Sequence, residues 1–141
     1  MEPNEVKTEE SAMAVVVHQR KILTTSELIY GKETLSLPKG HREAGETSVD
    51  TAIRECFEET NVILTKGDAV QELPSYSYEF ITPSEEQIQK TVVPILFKVN
   101  GEGVPLPKEK RILSVQWMDI EEFLQKCTHE SVKEVVKQIK L

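Results

Sequence analysis

The chain predicts an α/β domain in which a mixed sheet lies between helices, and three observations predict it. Ala12–Val17 is an uninterrupted apolar run of strand length, as a strand buried on both faces requires. Between Lys90 and Val99, Val93, Ile95, Phe97 and Val99 face one way while Val92 and Leu96 face the other, so that strand too is covered on both sides. Helical apolar stripes then recur, at Val49, Ala52, Ile53, Cys56 and Thr60 and again at Val132, Val135, Val136 and Ile139, and each such stripe needs a sheet to pack on.

The elements follow in order. Residues 1–10 are acidic and polar and are expected to form a flexible leader, with a single domain over 11–141. After the strand at Ala12–Val17, Gln19-Arg20 turns the chain into a second strand over Lys21–Thr25, followed by a looser segment through Gly31. Leu35–Leu37 forms a third strand, ended by Pro38-Lys39-Gly40, where proline removes a donor and glycine frees the backbone. Thr47 is a good N-cap with Asp50 three residues on, so a helix is expected from about residue 48 to 60. Tyr76, Tyr78 and Phe80 alternate with Ser75, Ser77 and Glu79, the period of a strand spanning Val70–Ile81. It forms a long antiparallel hairpin with Lys90–Val99, in which Pro94 marks a bulge or an edge. Gly101–Lys110 is a loop, Ile112–Met118 a strand, and Asp119 caps a short helix over Ile120–Lys126. Ser131 with Glu134 makes a capping box for the last helix. The order is β-β-β-α-β-β-β-α-α.

Composition narrows the possible roles. A length of 141 residues suits one domain with a real core. The formal net charge of -7 argues against a nucleic-acid footprint, which needs clustered Lys and Arg, without forbidding a small anionic substrate. Two cysteines, Cys56 and Cys127, are the usage of a reducing compartment. No apolar run approaches the roughly 20 residues of a membrane span, so no membrane role and a cytoplasmic location are expected.

The chemistry concentrates in the segment from Gly40 to Val62. At about 100° per residue, Glu55, Glu58 and Glu59 share an arc of roughly 100° beside the apolar stripe. By itself such a cluster is most simply a solvated face, and the carboxylates repel one another at these spacings. A glycine loop placed directly before them changes the reading to a divalent cation bound to a phosphate. Hard oxygen donors without His or Cys suit Mg²⁺ first and Mn²⁺ second.

Gly40, Glu46, Arg54, Glu55, Glu58, Glu59 and Val62 stand in the spacing of the signature of the Nudix (MutT-like) hydrolases, which the segment therefore resembles. Two positions depart from it. Cys56 takes an aliphatic slot, and Asn61 replaces the glycine that ends the helix, the next most tolerant residue of a left-handed conformation. The resemblance implies an α/β/α sandwich with a mixed, mostly antiparallel sheet, and a metal-dependent pyrophosphohydrolase. It further implies that Glu55, Glu58, Glu59 and the Gly40 carbonyl hold the metal, and that Glu46 and Arg54 position the loop, with a direct phosphate contact as the other reading of Arg54. Glu58 is the expected general base; since members of the family differ in this, Glu109 and Glu102 in the later loop are the alternatives, each also readable as a solvated acid.

Substrate contacts are sought outside the signature. Lys39 reaches either phosphate or solvent, and His41 is read as structural. Tyr76, Tyr78, Phe80 and Trp117 are either core or a platform for a base, and Lys90, opposite the aromatic strand, is placed to meet a distal phosphate. His18 and His129 have no partner pattern. The Leu-Pro-Lys-Gly-His opening and the Tyr-x-Phe segment followed by Lys-Thr-Val are similar to Nudix members acting on diadenosine polyphosphates, which makes a nucleoside diphosphate linked to another group the expected substrate. Oxidised nucleoside triphosphates, ADP-ribose and RNA 5'-triphosphate ends are the alternatives. A nucleotide-binding regulator without activity is a third reading, against which the complete carboxylate set speaks.

Overall fold

The long first strand, β1 (Val6–His18), carries the architecture. The computed structural model describes residues 5–140. Strands β2 (Lys21–Ile29), β3 (Lys32–Ser36) and β4 (Lys39–His41) precede helix α1 (Ser48–Thr60). After a 3-10 turn come β5 (Ala69–Glu72), β6 (Tyr76–Ile81), β7 (Gln87–Lys98) and β8 (Ile112–Asp119), then α2 (Ile120–Lys126) and α3 (Glu130–Lys137).

β1 runs parallel to β7 from Val6 beside Gln87 to Val17 beside Lys98, and every other pairing among the described residues is antiparallel. Its second edge is shared. β1 meets β2 only at Val17–Ile22 and His18–Lys21, and then β4 takes over that edge at Ser11–Met13. β2 in turn continues with β3 on one side and β8 on the other. The eight-stranded sheet therefore forks where β1 and β2 part.

Alternation assigns the faces. Met13, Val15 and Val17 pack with Val92, Leu96 and the stripe of α2 and α3, Phe123, Val132, Val135 and Val136. Ala12, Ala14 and Val16 pack with Val93, Ile95, Phe97 and the α1 residues Ala52 and Cys56. The result is the expected α/β/α sandwich, and both faces of β7 are used as its sequence pattern requires. A one-residue slip would exchange the two cores, so the register is strongly specified.

Local signals place α1 as expected. Thr47 accepts from the Asp50 N–H at 3.1 Å and its own N–H donates to the Asp50 carboxylate at 3.0 Å, completing the capping box. Asn61 ends the helix with φ 66°, the left-handed region that asparagine tolerates.

Several expectations are corrected. The first strand begins at Val6, so residues 6–10 pair with β7 instead of forming a leader, while residues 1–4 lie outside the described residues. β2 continues to Ile29 because β3 supplies it with a partner as far as Lys32. The Val70–Ile81 strand breaks around Pro74 into β5 and β6, both of which pair with β7. Pro94 sits within β7 beside Met13. Its carbonyl accepts from Leu73, which lies between β5 and β6, and a strand residue directs its N–H to the same side as its carbonyl. The missing donor thus falls at the break where no ladder bond is needed. Ser131 lies inside α3, whose N-cap is His129 with no side-chain bond, and Asp119 occupies the N-cap of α2 without a side-chain bond.

Thr47→Ala removes the reciprocal cap of the site helix. Urea unfolding is expected to show about 1 kcal/mol lower stability with an unchanged slope.

Candidate active site

The site lies at the fork of the sheet, where α1 passes behind β4. Gly40 pairs with Ala12 on the α1 side of β1, and a side chain there would land on the Glu55 carboxylate. Glycine is required here for close approach rather than for its torsion angles. Its neighbours point the other way, since Lys39 and His41 pair with Met13 and Ser11. Gly40 is thus the window through which a carboxylate of the helix reaches a cleft of about 400 Å³ lined by Lys39, His41, Glu55, Glu58, Lys90, Glu109 and Arg111.

Arg54 holds the loop to the helix. Its Nε and Nη2 donate to the two oxygens of Glu46 at 2.7 and 3.0 Å, and Nη2 also donates to the His41 carbonyl at 2.9 Å. Nη1 donates to Glu55 at 2.8 Å and to Glu58 at 3.2 Å. A guanidinium has five N–H donors, and all five are directed at protein acceptors, which leaves none for a phosphate. Glu46 also accepts from the Glu43 N–H and the Thr51 hydroxyl, each at 2.9 Å. Hydrogen bonding to Arg54, then to the Glu43 backbone, lowers its pKa to about 2.

On the inner side, Glu59 is 1% exposed although the helical pattern sets it on the acidic arc. Its carboxylate accepts from Arg111 Nη2 at 2.8 Å, and Arg111 Nη1 donates to Glu27, another buried acid, in β2. Lys39 Nζ lies 3.6 Å from Glu27. Burial raises the Glu59 pKa to about 8 despite the opposing pull of Arg111, and burial likewise raises that of Glu55.

Glu55, Glu59 and Glu109 offer carboxylate oxygens that all lie within 4.8 Å of one another. Opposite ligands of a Mg²⁺ stand about 4.2 Å apart, from metal–oxygen distances near 2.1 Å. A hard cation at this cluster fits both the donor type and the spacing, and it would also favour ionisation of the buried acids. Glu58 lines the same cleft from the rim, its carboxylate held by Arg54. Of the two loop acids, Glu109 is drawn in by Arg111 at 3.7 Å, whereas Glu102 faces Lys21 at 3.8 Å, outside the cleft.

The cleft faces the α2/α3 side of the sheet. Lys90 pairs with Glu9 and Tyr78, and Tyr76, Tyr78 and Phe80 form a ladder with ring centroids 6.4 and 6.0 Å apart. Tyr76 packs against the core, while Tyr78 and Phe80 are each more than a third exposed. Burial, then Lys39, lowers the Lys90 pKa. Trp117 packs on the α1 side instead and donates to the Glu102 carbonyl at 2.9 Å, so it is no part of the aromatic ladder. His18 Nδ1 donates to the Val99 carbonyl, 3.0 Å away, and the ring of His129 lies 6.4 Å from that of Tyr76.

The NUDIX domain profile matches residues 7–139, nearly the whole chain. The chain belongs to the Nudix family of MutT-like pyrophosphohydrolases. Phosphatase NudJ of Escherichia coli is 31% identical over 116 residues, covering 80% of this chain and 70% of that protein. MutT4, a mutator-type protein of Mycobacterium tuberculosis, is 37% identical over 93 residues, or 66% of this chain. The chain spans only 36% of that relative's length. Among solved structures, the Ap4A hydrolase of C. elegans, in a binary complex, superposes with a TM-score of 0.69 at 18% identity, covering 92% of this chain and 93% of that one. At that identity the likeness speaks for the Nudix fold alone.

Arg111 and Glu27 have no marker in the local pattern. Arg111 precedes a strand and Glu27 falls in a stretch that reads as loose, so their pairing across 84 residues is visible only in three dimensions.

Two outcomes test this geometry. Gly40→Ala should displace Glu55 and lower kcat/KM about 10²-fold, the scale of a 1 Å misplacement, with the circular dichroism spectrum unchanged. Because the folded pKa of Glu46 is depressed, its stabilisation is present above the unfolded value of 4.5 and is lost as pH falls toward about 2. Glu46→Gln should therefore be less stable than wild type at pH 7, and the gap should close at pH 2–3 in chemical denaturation.

Proposed function

We propose that this Nudix protein hydrolyses a phosphoric anhydride in a nucleoside diphosphate linked to another group, with diadenosine polyphosphates the leading substrate class. The observation that carries this reading is one cleft holding a cation-sized carboxylate cluster, Glu55, Glu59 and Glu109, with two lysines and an exposed aromatic strand beyond it.

Glu55, Glu58, Glu59 and the Gly40 carbonyl would hold Mg²⁺, or Mn²⁺ in its place, with Glu109 at hand as a further donor. The cation would supply charge neutralisation on the phosphate oxygens and alignment of the attacking water. Glu58, or Glu109 in its stead, takes a proton as the water oxygen attacks phosphorus and the bridging P–O bond breaks. Lys39 and Lys90 lie on the cleft side of the sheet, where they meet phosphates beyond the scissile bond. Tyr78 and Phe80 offer a face on which a base can stack, worth on the order of 1–3 kcal/mol. A long phosphate chain joining two nucleosides uses all of these groups at once. The net charge of -7 favours a small nucleotide over an RNA end.

Diadenosine polyphosphates, ADP-ribose, oxidised dGTP and triphosphorylated RNA should be compared with Mg²⁺, using wild type, Glu58→Gln and Glu109→Gln. Turnover of the dinucleotides is expected, with kcat falling 10²–10⁴-fold in the variant that lacks the base. Preferential cleavage of a mononucleoside triphosphate would overturn the substrate class, and tight binding without turnover of any substrate would overturn the hydrolase reading.

A further inference from the structure

The segment Gly101–Lys110 has no helix or strand of its own, yet it delivers Glu109 to the carboxylate cluster. It does so by lying along the C-terminal turn of α1. The Leu106 N–H donates to the Thr60 carbonyl at 2.9 Å and the Lys108 N–H to the Glu59 carbonyl at 3.4 Å, both of them carbonyls that the helix end leaves free. Lys108 Nζ sits 3.5 Å from the centre of the Phe57 ring. One further contact comes from a side chain at the helix terminus, the amide Nδ2 of Asn61, which donates to the Val104 carbonyl at 3.0 Å.

Asn61 is also one of the two positions at which this chain departs from the Nudix signature, and glycine stands there in the signature. Both residues satisfy the backbone, since φ is 66°, and glycine does so with less strain. Helix termination alone therefore gives no reason for asparagine. What asparagine adds is a donor, and that donor is spent on the loop that carries Glu109.

We propose that Asn61 is a positioning residue whose side-chain amide moors the 101–110 loop to the end of α1 and so holds Glu109 in the carboxylate cluster. This rests on the reading of Glu109 as a member of the metal-binding set. Asn61 touches neither the cleft nor a carboxylate and acts only through the loop. The Asn61→Gly variant removes the amide while keeping the left-handed turn, and Asn61→Asp keeps the shape while replacing the donor with an acceptor.

Hydrogen exchange over residues 103–110 reads the mooring, and Mn²⁺ affinity by calorimetry reads its consequence. Both variants should exchange faster over 103–110 with α1 still protected. Asn61→Gly should bind Mn²⁺ roughly three- to tenfold more weakly, the range for loss of one neutral hydrogen bond, and should add nothing to the loss in Glu109→Gln. Unchanged exchange, unchanged Mn²⁺ affinity, or losses that add in the double variant would each overturn the proposal. Wild-type Mn²⁺ binding by Glu109→Gln would instead remove Glu109 from the metal set, and the mooring's purpose with it. That failure is distinguishable, because faster exchange in the Asn61 variants would still be seen.

Discussion

Gathering Glu55, Glu58, Glu59 and Glu109 around one cleft is the constraint on which the rest of the structure depends. Like charges 4 Å apart near a protein surface repel by about 4 kcal/mol per pair, so the cluster needs fixed cations before any metal arrives. Two guanidiniums supply them from opposite sides. Arg54 takes the outer side, joining Glu55 and Glu58 to the loop acid Glu46, and Arg111 takes the inner side, joining Glu59 and Glu109 to Glu27. Each arginine ties together segments that are distant in the chain. The electrostatics that make the site possible also lock loop 40–46, helix α1, strand β2 and the later loop into one unit.

The forked sheet gives that unit its place. Where β1 and β2 diverge, β4 occupies the gap, and its three residues divide their work between the two faces. Gly40 opens toward α1, whereas Lys39 and His41 face the lysine and aromatic side of the cleft. A carboxylate from behind the sheet and cations in front of it thereby meet at one point. Forming such a juxtaposition within a single continuous sheet would require side chains to cross a hydrogen-bonded backbone layer.

Buried acids are seldom retained for stability, because desolvation offsets much of what their ion pairs contribute. Glu27 and Glu59 are nearly inaccessible and both lean on the same guanidinium. Replacing either acid alone would leave Arg111 short of a buried partner, so the two are held in place by the ion-pair network that they complete beside the cleft. The raised pKa of Glu59 expresses the same tension, with burial favouring the neutral form that a bound cation would reverse.

The sequence by itself determined whatever depends on short chain separations. The capping box of Thr47 and Asp50, the left-handed end at Asn61, the reach of Arg54 to Glu46 and the two-faced pattern of β7 are all read from residues within a few positions of one another, because local hydrogen bonds and periodicity act over that range. The tertiary structure alone decided that Glu59 is buried, that Glu109 and not Glu102 joins the cluster, that residues from Val6 onward form a strand, and that Arg111 bridges Glu27 and Glu59. Each of these depends on contact between segments separated by 50 or more residues, as in the 52 between Arg111 and Glu59. Helical periodicity marks which side of a helix is acidic, but it carries no information about which distant loop will fold over that side and exclude water from it.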